Sequence, residues 1–503
     1  MRRREHQERC DQEAGNERIL ETRTLTGVRR HQPLQTTPFR GGRLPLEAFV
    51  AIAIAVLQVW LIFAHSPWRD EAQAILVAQQ PLGRLFGQLH YEGHPALYYL
   101  ILKAATLVAP GIGALKLTAA ACSLATLGLI WWRSPFGFWT KSALSLNYLI
   151  FFEYGVIARS YGVGALLFFA FVVTRRQKIV PWVFLALLAN VAVHTAILAA
   201  VCALWQLRED RWSWKGGAIL GLGLGVALLT IWPAHDVIGS YSTAHTPFVR
   251  GMVTLAKTSG LLTWSDPTHP VAVWGAVTPL PFALTLGALF PLVGVLALGR
   301  NTDHKLLFLI CFLTIFAFGT LVYVALLRHL GFAALLMIGL LWAQVEAGER
   351  LNATARAWMA LAAIGGVWFA VTALFVPFSG AAALSTWAMR SGSVNMPWAA
   401  SPGHAGVSYS AITGRPTFNL QKGCWNTYQR WNYDPAKPVT DKDITAFTQA
   451  TGGGYLVGAV QLPAAPGRQL EQVFNGEMSG ETTYVYRVRP TGSVRLVTLP
   501  NCA

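Results

Sequence analysis

Ser66-Pro67-Trp68-Arg69-Asp70-Glu71-Ala72-Gln73-Ala74 follows the first long apolar run, which ends at Ala64. The stretch reads as a helix start: Ser66 can cap, Pro67 suits the first helical position, and acids in the first turn suit the helix dipole. It sets two adjacent carboxylates, Asp70 and Glu71, at the mouth of a membrane span. Acids in the first turn of a solvated helix are common, so the pair takes its meaning from its company. Twenty-one residues after Asp70 comes Tyr91-Glu92-Gly93-His94-Pro95-Ala96-Leu97-Tyr98-Tyr99, at the entrance to the second apolar run.

Composition says what surrounds these motifs. The chain has 503 residues, 53% hydrophobic and only 13% charged, with 19 Trp. A soluble chain carries about 25% charged residues, so this one is built for lipid. The formal charge of +16 fits cytoplasmic anchoring of membrane spans and not nucleic-acid binding. No zinc-finger, P-loop or Rossmann spacing occurs, and the six cysteines show no paired metal spacing. Residues 1–43 hold ten Arg against six acids and lack the apolar core of a signal peptide; they read as a disordered basic cytosolic tail.

Apolar runs then recur from 44–64 to 357–377. Placing Arg133 with Lys141, Arg175 with Arg176 and Lys178, Arg208 with Arg211 and Lys215, Arg300 with Lys305, and Arg350 with Arg356 inside fixes the topology. The rule holds only if the runs 94–110 and 112–132 make one net crossing between them, with one of the two re-entrant or tilted. About eleven net crossings result, with the N-terminus inside and the C-terminus outside. Asp70, the Glu153–Tyr161 turn, the break near His194, the loop 234–270 and Arg328-His329 then share the outer face. The runs beside His194 are short, which suggests a broken hairpin dipping into the membrane. Residues 378–503 change character, with strand alternation in 454–462, 482–488 and 493–499. The expected architecture is an all-α polytopic bundle over 44–377 carrying a small extracytoplasmic α+β domain over 378–503. Cys424 and Cys502, the only cysteines of that domain, can pair if the compartment is oxidising.

A span, an Asp-Glu pair directly after it, a helix, and then Glu92-x-x-Pro95-x-Leu97-Tyr98-Tyr99 resembles the GT-C superfamily of membrane glycosyltransferases, its protein-mannosyltransferase and aminoarabinose-transferase branches above all. Ala158-Arg159-Ser160-Tyr161 resembles that superfamily's second outward motif. The resemblance covers residues 44–175 firmly, 176–377 loosely, and 378–503 not at all. It implies sugar transfer from a polyprenyl-phosphate donor at the extracytoplasmic face of a membrane, a bacterial inner membrane by composition. It implies Asp70 as the base, with Glu71 orienting the acceptor or the neighbours of Asp70. The pattern's basic residue before two prolines is here Gly93-His94-Pro95, so a phosphate role there passes only to His94.

Glycosyl transfer from a lipid phosphate needs a carboxylate to accept the acceptor's proton and cations to hold the departing phosphate. A partly desolvated carboxylate beside a second acid should have its pKa raised, which suits a base. Arg159 and Arg328 are the candidate phosphate ligands, since guanidinium forks suit phosphate oxygens; pairing of Arg159 with Glu153 and interfacial anchoring of Arg328 are the structural alternatives. Glu92, His94, Tyr98, Tyr161, His194 and His329 complete the candidate binding set. Asp70, Glu71, Glu92 and His94 have the oxygen-rich chemistry of a divalent-metal site, but the mannosyltransferase-like branches need none, and no cofactor is expected. The loop 232–270, with His235, Asp236, Tyr241, His245, Arg250, Trp264, Asp266 and His269, is long enough to be a lid. Expected partners are membrane lipid, a polyprenyl-phosphate-linked sugar and an acceptor that is a glycan, lipid or protein. The competing functions are an O-antigen ligase or polymerase type of enzyme, a transporter or flippase, and a structural assembly partner. A transporter should show internal repeats, and none is visible.

Overall fold

Helices form wherever the apolar runs require the backbone to satisfy itself without water. In the computed structural model, which describes residues 44–238, 246–263, 279–433 and 437–502, they run α1 (Leu44–Ala64), α2 (Arg69–Ala78), α3 (Leu82–Glu92), α4 (Leu97–Ala105), α5 (Ile112–Arg133) and α6 (Phe138–Ser145). A π-helix (Leu149–Val156) follows, then α7 (Ser160–Thr174), α8 (Val180–Ala189), α9 (Val193–Arg208), α10 (Trp214–Ile231), α11 (Pro247–Thr258) and the single turn α12 (Gly260–Thr263). The series continues with α13 (Leu280–Ala297), α14 (Thr302–Leu321), α15 (Leu327–Glu346) and α16 (Ala353–Phe375). The chain divides into two units, Met1–Phe49 and Val50–Ala503. Of the first only the start of α1 is described, and the basic tail lies outside the described residues. All that follows concerns the second.

Seven of these helices are long and apolar enough to cross a membrane: α1, α5, α10, α13, α14, α15 and α16. About eleven crossings are expected, and beyond these seven the shorter apolar helices among the described residues are α7, α8 and α9. Helix α4 has nine residues, about 14 Å at 1.5 Å per residue, so of the runs at 94–110 and 112–132 only the second is a full span. Helix α15 is the axis, with 89% of its apolar window buried against 22% for α1. On α1, Ile52, Val56, Trp60 and Phe63 are exposed. Its buried Gln58 donates Nε2–H to the carbonyls of Ile150 (3.3 Å) and Phe151 (2.8 Å). Those carbonyls belong to the π-helix, whose wider winding displaces them from ordinary helical partners.

Two of the basic clusters assigned to the inside lie together. Arg175, Arg176, Arg208, Arg211 and Asp303 line one cavity, at the far ends of α7 and α15 from Ser160 and Leu327. The opposite end carries the C-terminal domain. Helix α17 (Ala381–Arg390), strand β1 (Trp398–Ser401), α18 (Val407–Thr413), β2 (Thr417–Asn419), β3 (Cys424–Asn426), α19 (Asp441–Thr451), β4 (Gly454–Gly458), β5 (Arg468–Gly476) and β6 (Glu481–Val488) build it. The mixed sheet has order β3-β2-β1-β4-β6-β5. Alternation in β1 and β4 makes it two-faced: Trp398, Ala400 and Val457 pack with Leu384 and Tyr409, while Ala399 and Leu456 pack with Ile444 and Phe447. Cys424 and Cys502 are bonded. The expected strand over 493–499 is instead an extended tail, its Arg495 and Val497 amides bonded to the carbonyls of Gln449 and Ala450 on α19. Helix α18 docks on α2 through Val407 against Ala72 and Leu76.

Candidate active site

Asp70 sits in the first turn of α2, and three arginines from three elements converge on it. Arg159 Nη1 lies 3.2 Å from its Oδ2 and Arg328 Nη2 3.8 Å from the same oxygen, while Arg69 Nε donates to Oδ1 at 3.3 Å. The Asp70 side chain remains 23% exposed, so the cluster is open. Burial alone would raise the Asp70 carboxyl, but the Arg159, Arg69 and Arg328 guanidiniums outweigh it and hold it well below the usual carboxylate range. This corrects the raised pKa expected from a neighbouring acid. Arg159 therefore pairs with Asp70, and Arg69, the third member, was missed although it stands beside Asp70 in the quoted stretch. Trp68 holds two of the arginines, with the Arg69 and Arg328 guanidinium carbons 5.9 and 5.5 Å from its ring centre.

Glu71 does a different job. It is fully buried, and its Oε1 accepts the Ala158 amide at 2.6 Å while Oε2 meets the Trp68 amide at 3.0 Å and His65 Nε2 at 2.8 Å. Tyr98 donates its hydroxyl to the Ala158 carbonyl at 2.6 Å. The peptide groups preceding Arg159 are thus clamped from both sides, and Glu71 and Tyr98 position the arginine. Glu71 has no surface left for an acceptor, so of its two expected roles only orienting a neighbour of Asp70 fits the geometry.

Gly93, at φ +67°, closes α3 and turns the chain into His94. The His94 Nε2 lies 3.4 Å from Arg159 Nη2, and its buried Nδ1 has no hydrogen-bond partner. Burial and then the Arg159 charge push this imidazole down to about 3, so it is neutral. Tyr161 lies under the Arg159 guanidinium, 5.7 Å from its ring centre, and its hydroxyl meets His329 Nε2 at 2.9 Å. The Leu326 amide donates to His329 Nδ1 at 3.1 Å, so the His329 proton is on Nε2 and the Tyr161 hydroxyl proton is left for another acceptor. His194, delivered by the break between α8 and α9, stacks on His329 at 4.0 Å with an unpartnered Nε2. Asn190 fixes that break by donating to the carbonyls of Ala186 (2.9 Å) and Gly223 (2.8 Å). Tyr154 holds the start of α15 by donating to the Arg328 carbonyl at 2.7 Å. Gly331 is required there, since a Cβ would run into that tyrosine hydroxyl.

Glu92 lies outside this cluster. Gln73 and Gln88 donate to its Oε1 at 2.7 and 2.8 Å, and both also reach the Gln429 carbonyl, so Glu92 ties α2 and α3 to the C-terminal domain. Burial raises its pKa, against the glutamines and Arg159. With Glu71 on Ala158, Glu92 on glutamines and His94 on Arg159, the carboxylates considered for a metal do not converge. No group of three or more metal-ligating side chains occurs among the described residues.

The stretch considered as a lid divides. Residues 239–245 and 264–278, with Tyr241, His245, Trp264, Asp266 and His269, lie outside the described residues. Arg250 is on a packed helix, donating to the carbonyls of Thr320 and Leu321 at the end of α14. Asp236 accepts the Tyr91 hydroxyl at 2.7 Å and the Asn432 amide at 3.1 Å, while His235 is exposed. The C-terminal domain adds a residue no sequence signal marked: His404. It is near enough to Arg69 and Asp70 for both charges to act on it, and burial together with Arg69 lowers its pKa to about 3.

A helical membrane bundle with its carboxylate just past the first span, and a small domain on the same end, is a fold shared with a solved protein, ArnT. One solved structure similar to it is ArnT from Cupriavidus metallidurans in the apo state, with a TM-score of 0.50 and 12% identity, covering 89% of this chain and 98% of that one. ArnT from the same organism bound to undecaprenyl phosphate gives 0.49 at 13% identity, covering 88% and 98%. No family model and no curated protein matches the chain. The likeness is one of fold.

Proposed function

We propose that this chain is an integral membrane glycosyltransferase that takes a sugar from a polyprenyl-phosphate donor. The observation that carries the reading is the convergence of Arg69, Arg159 and Arg328 on Asp70 within a GT-C fold. The three guanidiniums bring forked donors around one carboxylate, an arrangement that also suits the oxygens of a lipid phosphate. The fold's match to an ArnT crystallised with undecaprenyl phosphate agrees with that donor class.

Transfer proceeds by inversion. The acceptor hydroxyl gives its proton to Asp70, its oxygen attacks the anomeric carbon, and the bond from that carbon to the phosphate oxygen breaks with its electrons passing to the phosphate. Arg159 and Arg328 hold the charge that develops there. With no donor present, the arginines suppress the basicity of Asp70; donor phosphate draws them off and restores it. The His94 Nδ1, the His194 Nε2 and the Tyr161 hydroxyl proton are polar groups that the sugar phosphate would satisfy. The site faces the extracytoplasmic side, supported by the basic clusters at the other end and by a disulfide suited to an oxidising compartment. A bacterial inner membrane is the reading that composition favours.

The test is undecaprenyl-phosphate affinity in detergent for wild type, Arg159→Lys and Arg328→Lys. Lysine keeps the charge and loses the fork, so affinity should fall by about tenfold in each variant. Unchanged affinity in both would return the arginines to a structural role.

A further inference from the structure

A second pair of cavities lies where the chain past α2 meets the C-terminal domain. One cavity of about 300 Å³ gathers Arg84, Lys422 and Arg430, with no carboxylate among its described lining residues. Arg430 lies over the Tyr91 ring at 5.0 Å, and its buried Nε has no hydrogen-bond partner. Lys422 donates to Asn432 at 2.6 Å; burial and then the Arg430 charge lower its pKa, as befits like charges held together. The acid nearest in effect, Asp236, is engaged by Tyr91 and Asn432.

This cavity shares Gln80 and Thr427 with a larger one of about 910 Å³. The larger one is lined at its membrane side by Phe63, Ala64 and Ile112, where α1 ends and α5 begins. Its rim beyond Pro110 exposes Leu107 and Val108. Its one cation, Lys116, is turned to the carbonyls of Phe63 and His65. The two volumes form a trough, apolar where two spans end and mixed further along, leading to a triply cationic pocket. That is the chemistry of an amphiphile: acyl chains in the trough, an anionic head among guanidinium and ammonium groups.

We propose that the trough and pocket bind a membrane lipid with a phosphate-bearing head, at a site separate from Asp70. Phosphate fits three converging cations better than a single carboxylate does, because it offers more acceptor oxygens for the same volume. Occupancy requires no transfer reaction, so the site stands independently of the proposed function.

Binding to the full chain in detergent tests this with dioctanoyl phosphatidic acid, its tails alone as dioctanoylglycerol, and its head alone as inorganic phosphate. Phosphatidic acid should bind about tenfold tighter than either part, as expected when both halves contribute. The Lys422→Gln, Arg430→Gln double variant should lose about tenfold of that affinity, and Lys422→Arg should keep it. Ala382 is exposed on the trough wall, so Ala382→Trp should weaken phosphatidic acid and leave phosphate unchanged. Near-ultraviolet circular dichroism checks that each variant is folded. Full affinity in the double variant, or loss confined to Arg159→Lys, would overturn the proposal and assign the lipid to the Asp70 cluster.

Discussion

The two ends of the bundle use the same residues to opposite effect. At the domain-bearing end one carboxylate, Asp70, faces Arg69, Arg159 and Arg328. At the far end Arg175 and Arg176 share Glu346 at 2.5 and 3.2 Å, Arg208 meets Asp303 at 3.2 Å, and Arg211 meets Glu209 at 3.1 Å. The far-end acids are themselves held, Glu346 by Trp342 and Glu209 by Trp205. At the far end three acids serve four arginines, while at the domain-bearing end three arginines gather on one carboxylate, an arrangement suited to an oxyanion ligand. Sequence position cannot tell these cases apart, because both kinds lie at the edges of apolar runs.

The largest effect that would break the contrast comes from Asp70→Asn. Removing a positioned base typically costs about 10²–10⁴-fold, so turnover with a polyprenyl-phosphate sugar should fall in that range. Undecaprenyl-phosphate affinity should hold or rise, since the Asp70 charge no longer competes with the phosphate for the arginines. Turnover retained within about threefold, far short of that loss, would remove Asp70 as the base.

At the far end the counterpart is Glu346→Gln. Arg175 is only 3% exposed, and leaving a buried charge without its partner costs about 3 kcal/mol. Thermal unfolding should register that loss while undecaprenyl-phosphate affinity stays at the wild-type value. A drop in affinity equal to that of Arg328→Lys would mean that the two ends are not functionally distinct.

A finer cut comes from Arg328→Lys against Arg175→Lys. Each keeps charge and loses the fork, yet only the first should weaken donor affinity, by about tenfold. Equal weakening in both would trace the effect to global packing.

Much of this was legible because apolar runs and basic clusters obey the physics of the bilayer. One net crossing over 94–132 follows from counting charges along the chain, the break near Asn190 from the shortness of the runs beside it, and the common face of Asp70, Arg159 and Arg328 from that count together with the resemblance. What could not be seen depends on tertiary contact. Glu71 and Asp70 are identical in local context, yet one turns inward to the Ala158 amide and the other outward to guanidiniums. His404 is brought in by a domain with no legible motif, and short strands such as Thr417–Asn419 lack the length for visible alternation. Sequence shows Glu71 and Arg69 beside Asp70 but not Arg159 and Arg328, and weighing the acid alone gives the wrong direction for the Asp70 pKa.

The smallest effect is a pH dependence that should be absent. The arginines depress the Asp70 carboxyl in the folded state, so its stabilising contribution is fully present above the unfolded value of about 3.9 and fades only as pH falls toward the folded one. His94 behaves oppositely: its folded value of about 3 lies below the unfolded one, so the unfolded chain takes up its proton first and stability falls as pH drops below about 6.5. That trend is shared by wild type and Asp70→Asn, and the difference in their melting temperatures largely cancels it. The difference should therefore be flat from about pH 8 to pH 5 and start to close only below about pH 4. A difference that changes between about pH 5 and pH 7, inside the window of a raised carboxylate, would mean that burial outweighs the arginines. The contrast between the two ends would then lose its cationic cluster.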